Sequence, residues 1–183
     1  MNQNNVSDYV ALAENYRQRQ KKLFRESVSS SKKVIYWANE AINLTMDDED
    51  LVQWWGISEH KSALSGRKNK VILSNYDQTY LDGGFGNIYG NNYLIYQSWR
   101  KLYEFDPVVT NATVFGGEVC MWNKLGVKQT FDQKVVQRAS VLAERLWNTG
   151  VNLNEELLNI ATRLQSHMKR MKGRGFKVWP VTV

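Results

Sequence analysis

The spacing of apolar residues changes period along the chain, and those changes divide it into helices and strands. Over residues 6–28 the apolar side chains Val6, Tyr9, Val10, Ala13, Tyr16, Leu23, Phe24 and Val28 recur at helical spacing, with a basic face opposite. The run Ser29, Ser30, Ser31 ends that helix. Residues 33–37, 51–55, 70–74 and 113–119 are short, almost continuously apolar runs bounded by turn formers, the pattern of strands buried on both faces. The segments between them read as helices: a short one over 58–64, one over 92–103 stopped by Asp106-Pro107, and one opened by the capping-box pair Thr130 and Gln133. A last helix spans 152–173, and residues 176–183 trail off extended.

Strands alternating with helices imply a parallel α/β architecture, in which ligands gather at the C-terminal ends of the strands. The four expected strand ends deliver Trp37, Trp55, Tyr80 with Asp82, and Trp122. Any one tryptophan there would ordinarily be core. Together they make an aromatic cup with a carboxylate at its rim, which suits a sugar: pyranose C–H faces stack on indole rings, and hydroxyls need directional acceptors.

Composition narrows the picture. The chain has 183 residues, enough for one domain but short of the roughly 250 that a complete (β/α)8 barrel takes. Its net charge of +6 comes largely from Arg17, Arg19, Lys21, Lys22 and Arg25 near the start and Lys169, Arg170, Lys172 and Arg174 near the end. Both clusters fall on helices with apolar opposite faces, so solvated helix faces are expected and no nucleic-acid partner. The lone Cys120 excludes an intramolecular disulfide. Residues 1–9 are polar, no apolar run reaches membrane-spanning length, and neither a signal peptide nor a membrane partner is expected. Sequons at Asn5, Asn43 and Asn111 leave the compartment open.

Three blocks carry a resemblance: Tyr80-Leu81-Asp82, Gly116-Gly117-Glu118-Val119-Cys120-Met121-Trp122, and Arg138-Ala139-Ser140-Val141-Leu142-Ala143-Glu144-Arg145-Leu146-Trp147. In order and spacing they resemble the closing blocks of the family 20 glycoside hydrolases, the β-N-acetylhexosaminidases, with Arg163-Leu164 to His167 and Arg174-Gly175 beyond. The resemblance implies a partial (β/α)8 TIM barrel: a single region, 1–183, with a connecting helix over 1–30 and strands five to eight with the closing helices over 33–183. It implies that Trp37, Trp55 and Trp122 wall a pocket for an N-acetyl group, that Tyr80 hydrogen-bonds the acetamido oxygen, and that Asp82 reaches sugar hydroxyls. The implied partners are N-acetylhexosamine-containing glycans and the other barrel half, with no metal or cofactor. A lysosomal or secreted location follows from the resemblance alone.

The same resemblance implies an Asp-Glu pair after the fourth barrel strand, upstream of this sequence, to orient the acetamide and act as general acid/base in a substrate-assisted reaction. No substitute stands out. Glu118 has no acid before it, Asp48-Glu49 sits in an acidic turn, and Asn39-Glu40 offers one carboxylate. The chain alone is therefore expected to be inactive. Lys124 stands where the family has an acceptor glutamate, which would invert a contact to sugar hydroxyls, and Gln137 replaces a proline before the Arg-Ala segment. A non-catalytic, lectin-like module that keeps the cup, and a basic α/β adaptor with no sugar role, are the other readings.

Overall fold

The computed structural model describes residues 8–29, 31–39, 46–83, 96–122, 130–148, 150 and 153–181. Among them four parallel strands, β1 (Ile35–Ala38), β2 (Leu51–Trp54), β3 (Lys70–Leu73) and β4 (Val114–Gly117), lie side by side in chain order. The helices are α1 (Tyr9–Ser27), the single turn α2 (Tyr76–Thr79), α3 (Trp99–Tyr103), α4 (Phe131–Trp147) and α5 (Leu153–Gly173), with a 3-10 segment at Ser58–Leu64. Sequential parallel strands, with helical segments between β2 and β3 and between β3 and β4, form an arc of a (β/α)8 barrel, and each expected strand is present within a residue or two of its expected bounds.

Pleat alternation sorts the strand residues. Ala38, Val52, Trp54, Val71 and Leu73 point to the helices and pack with Leu102, Phe105, Val141, Leu142, Ile160 and Leu164 in one core. Ile35, Trp37, Gln53 and Ile72 belong to the other, concave face, where Ile35, Trp37 and Phe115 are exposed. β4 fits against β3 only because residue 117 is glycine: a Cβ there would stand 2.9 Å from the Leu73 carbonyl oxygen. The α1 and α3 starts are capped by Asp8 and Ser98, whose side chains accept from the amides of Ala11 and Lys101.

Three expectations are corrected. The helix expected over 92–103 begins at Trp99 within the described residues, because Ser98 caps it there. Thr130 precedes α4, but its side chain makes no capping bond; at ψ near 0° it does not take the extended cap conformation. The third concerns the first basic cluster, expected to be a solvated face. Arg17 and Lys21 are instead the buried residues of α1. Lys21 Nζ lies 2.5 Å from both Asp47 Oδ2 and the fully buried Asp50 Oδ2, and Arg25 lies 2.8 Å from Asp47. Arg17 also stacks 5.5 Å from the Tyr36 ring centroid. The helix docks through charge, while Tyr9, Val10, Tyr16, Leu23 and Val28 on its apolar stripe stay exposed. Burial alone would lower the Lys21 pKa, but the hydrogen bonds and charge of Asp47 and Asp50 outweigh it and raise it. No helix among the described residues is long and apolar enough to cross a membrane.

Candidate functional site

The cup forms where β1 and β4 run out. Trp37, on β1, meets Trp122, five residues past β4, edge to face with ring centroids 5.6 Å apart. Tyr80 follows the α2 turn after β3 and is clamped to the post-β4 segment: the Leu81 amide donates to the Cys120 carbonyl at 2.8 Å, and the Cys120 amide to the Thr79 carbonyl at 3.1 Å. The Trp122 indole N–H, which can only donate, is close enough to the Tyr80 phenol to favour its ionised form. Burial pushes the Tyr80 pKa up to about 12, with Cys120, Asp82 and Glu118 adding to it and the Trp122 indole opposing it. Trp122 remains more than half exposed. Trp55 is half-buried one step past β2, its amide donating to the Ala38 carbonyl at 3.0 Å.

Under the aromatic rings lies a polar floor. Glu118 Oε1 accepts from Gln53 Nε2, from Ser74 Oγ at 3.2 Å and from Cys120 Sγ at 3.6 Å. Gln53 pairs in register with Trp37, so the floor and the cup share the concave face. Burial first, then Glu118, pushes the Cys120 pKa up to about 12, so its thiol stays protonated.

Asp82, expected at the rim, is fully buried instead. Its charge is felt on both sides, by Lys134 and Arg138 of α4 and by Tyr80 and Cys120 of the cup. Lys124 and Glu40 lie outside the described residues. Asp48-Glu49 precedes β2, at the end of the sheet away from the cup, where Lys68 pairs with Asp48 at 3.0 Å.

Arg138 is a residue whose task the sequence motif does not announce. Fully buried, it donates through Nε to the Lys134 carbonyl at 2.6 Å, through Nη1 to Gln97 at 3.1 Å and through Nη2 to Leu81 at 2.9 Å. It thus holds the Tyr80 segment from behind; burial lowers its pKa to about 10, still charged at neutral pH. Glu144 of the same block accepts from Tyr103 Oη at 3.0 Å and from Arg163 at 2.5 Å, and Arg145 donates to the Phe105 carbonyl at 3.0 Å. Glu144 ties α4 to α3 and α5, and Arg145 ties it to the chain just past α3.

A parallel strand arc with aromatic side chains gathered at its C-terminal end is the architecture of barrel-type α/β proteins. The chain belongs to glycosyl hydrolase family 20, whose catalytic domain matches residues 1–150. It is 35% identical over 109 residues to the chitooligosaccharidolytic β-N-acetylglucosaminidase of Ostrinia furnacalis, covering 55% of this chain and 18% of that protein. It is 28% identical over 166 residues to β-hexosaminidase 3 of Arabidopsis thaliana, covering 85% and 28%. Among solved structures, the exo-β-N-acetylglucosaminidase of Vibrio harveyi superposes with a TM-score of 0.79 at 18% identity over 100% of this chain and 30% of that one. A Streptomyces plicatus β-hexosaminidase in complex with its product GlcNAc gives 0.73 at 20% identity over 93% and 36%. The chain spans between about a fifth and a third of the length of these proteins.

Proposed function

We propose that this chain is the sugar-holding half of a β-N-acetylhexosaminidase barrel, strands five to eight, and that by itself it binds N-acetylhexosamine without cleaving it. The observation that carries this reading is the joining of Trp37, Trp122 and Tyr80 at one point of a family 20 strand arc. Trp37, Trp55 and Trp122 wall the N-acetyl group. Tyr80, beside the Trp122 indole, keeps its proton and donates a hydrogen bond to the acetamido oxygen, aiming that oxygen at the anomeric carbon, which it attacks in the substrate-assisted reaction. Asp82, buried beside Tyr80 and Cys120, would have to be uncovered to meet a sugar hydroxyl, and Lys124 would replace an acceptor by a donor at the rim.

The exposed concave face and the bare stripe of α1 are where the other barrel half would sit. The acid pair belongs to that half. Among the described residues the Asp48-Glu49 pair is at the wrong end of the sheet, with Asp48 paired to Lys68, and Glu118 follows a glycine. A lysosomal or secreted location belongs to the same reading. A second reading, a lectin-like module, is favoured by a cup assembled with no acid pair beside it among those residues. A full-length protein with an Asp-Glu pair after an upstream strand decides for the enzyme.

Incubating the purified chain with a chromogenic N-acetylglucosaminide should give no turnover. Turnover abolished by Glu118→Gln or Glu49→Gln would overturn the assignment of the acid to the other half.

A further inference from the structure

Glu118 is not needed by the reading above, yet it is one of the more heavily organised side chains on the concave face. Three donors from three different places, Gln53 on β2, Ser74 just past β3 and Cys120 past β4, converge on a single one of its oxygens. Gln53 is further fixed by a 3.3 Å bond to Ser74, and both are buried. Holding a carboxylate through one oxygen fixes its position in a partly dry setting, where its field is less screened than at a surface. It is also close to the cup. Cys120, which bonds Glu118, is the residue that pairs with Tyr80 across the chain, and Gln53 is the register partner of Trp37.

We propose that Glu118 is an electrostatic partner of the reaction: a fixed anion beneath the N-acetyl pocket that favours the cationic intermediate formed there. This rests on the reading of the cup as an N-acetylhexosamine site. In the first step the acetamido oxygen bonds the anomeric carbon while the glycosidic C–O bond breaks. The leaving oxygen takes a proton from the carboxylic acid of the other barrel half. The acetamide, neutral before, becomes an oxazolinium whose positive charge is shared by its nitrogen, carbon and oxygen. Charge thus appears at the acetamide, over the floor that Glu118 occupies, and a preorganised anion there helps the transition state more than the neutral ground state. Glu118 need not touch the sugar. Burial keeps the Tyr80 phenol protonated, and the Glu118 charge adds a little to that.

The test is binding, so it needs no turnover. Two ligands are titrated into the full chain at pH 7: N-acetylglucosamine, and its analogue with a protonated acetamidine in place of the acetamide. The second puts a permanent positive charge where the intermediate carries it. Wild type and Glu118→Gln are compared by the ratio of the two affinities, so that any loss from altered packing, or from the changed contact to Tyr80, cancels. The preference for the cation should fall by about tenfold in Glu118→Gln, the scale of one charge acting across a few ångströms of partly screened medium. Glu118→Asp, which keeps the charge, should retain most of it. An unchanged ratio in a Glu118→Gln variant that still binds N-acetylglucosamine would overturn the proposal. Should Glu118→Gln lose all binding, a Glu118→Asp ratio below a third of wild type would also overturn it. No binding of either ligand to wild type would sink the cup reading and this inference with it.

Discussion

Tyr80 concentrates the chemistry of the site. Burial first, then its neighbours Cys120, Asp82 and Glu118, disfavour its ionisation, and the nearby Trp122 indole opposes them. Replacing Tyr80 by Phe should weaken N-acetylglucosamine binding by about tenfold, the worth of one hydrogen bond of roughly 1.5 kcal/mol, read by tryptophan fluorescence. The pH sign follows from the same groups. Tyr80, Tyr103 and Cys120 all have folded-state values raised to about 12, from ordinary values of 10.0, 10.0 and 9.0. The folded state holds these protons more tightly than the unfolded chain. Their contribution is therefore complete below about pH 9 and is lost as pH rises toward 12. Denaturation midpoints should be level up to about pH 9 and fall above it; a midpoint that climbs over that interval contradicts the burial of these three groups. Of this layer the sequence told which residues gather, and not how deep each lies. Trp37, Tyr80 and Trp122 could be named from strand ends. The burial of Asp82 is a matter of tertiary packing, and the Arg138 contacts join carbonyls of residues 41 and 57 positions away, which no local pattern reports.

At the scale of the element, α1 reverses the usual rule. Its apolar stripe stays bare and its basic face is the one that docks, since Lys21 meets Asp47 and the buried Asp50. Periodicity finds such a helix correctly and then assigns it the wrong inner face, because an ion pair spanning 29 residues leaves no trace in spacing. Lys21→Met would take the nearer of two cations from buried Asp50, leaving Arg25 at 3.8 Å, and should cost about 3 kcal/mol, whereas Lys22→Met, on the exposed side, should cost less than about 0.5 kcal/mol. Equal effects of the two would contradict the docking face. Asp47, held below its usual range first by the Lys21 bond, supports α1 at neutral pH and should lose that support as pH falls below its ordinary 3.8. The strands were the readable elements. They are apolar on both faces because one face meets the helices and the other belongs to a barrel interior.

For the whole molecule, that concave face is the central fact. A barrel interior left open exposes Ile35, Trp37 and Phe115, and β1 and β4 are the outer strands of the sheet among the described residues, each with an unpaired edge. The chain should consequently self-associate above micromolar concentration, which sedimentation over a concentration series would show. The fold class was readable because strand and helix patterns alternate cleanly; the family was readable because its specific block, Ala143-Glu144-Arg145-Leu146-Trp147, is largely a set of ties rather than of catalytic groups. Glu144 and Arg145 fasten α4 to neighbouring segments, so the block marks the architecture even where the acid pair is not in view. The direct test of the account is a fluorescence titration of the chain with N-acetylglucosamine, run beside Trp122→Ala. Saturable binding by the wild type that Trp122→Ala abolishes is the predicted result. A wild type that is folded by circular dichroism yet binds no better than Trp122→Ala would contradict it.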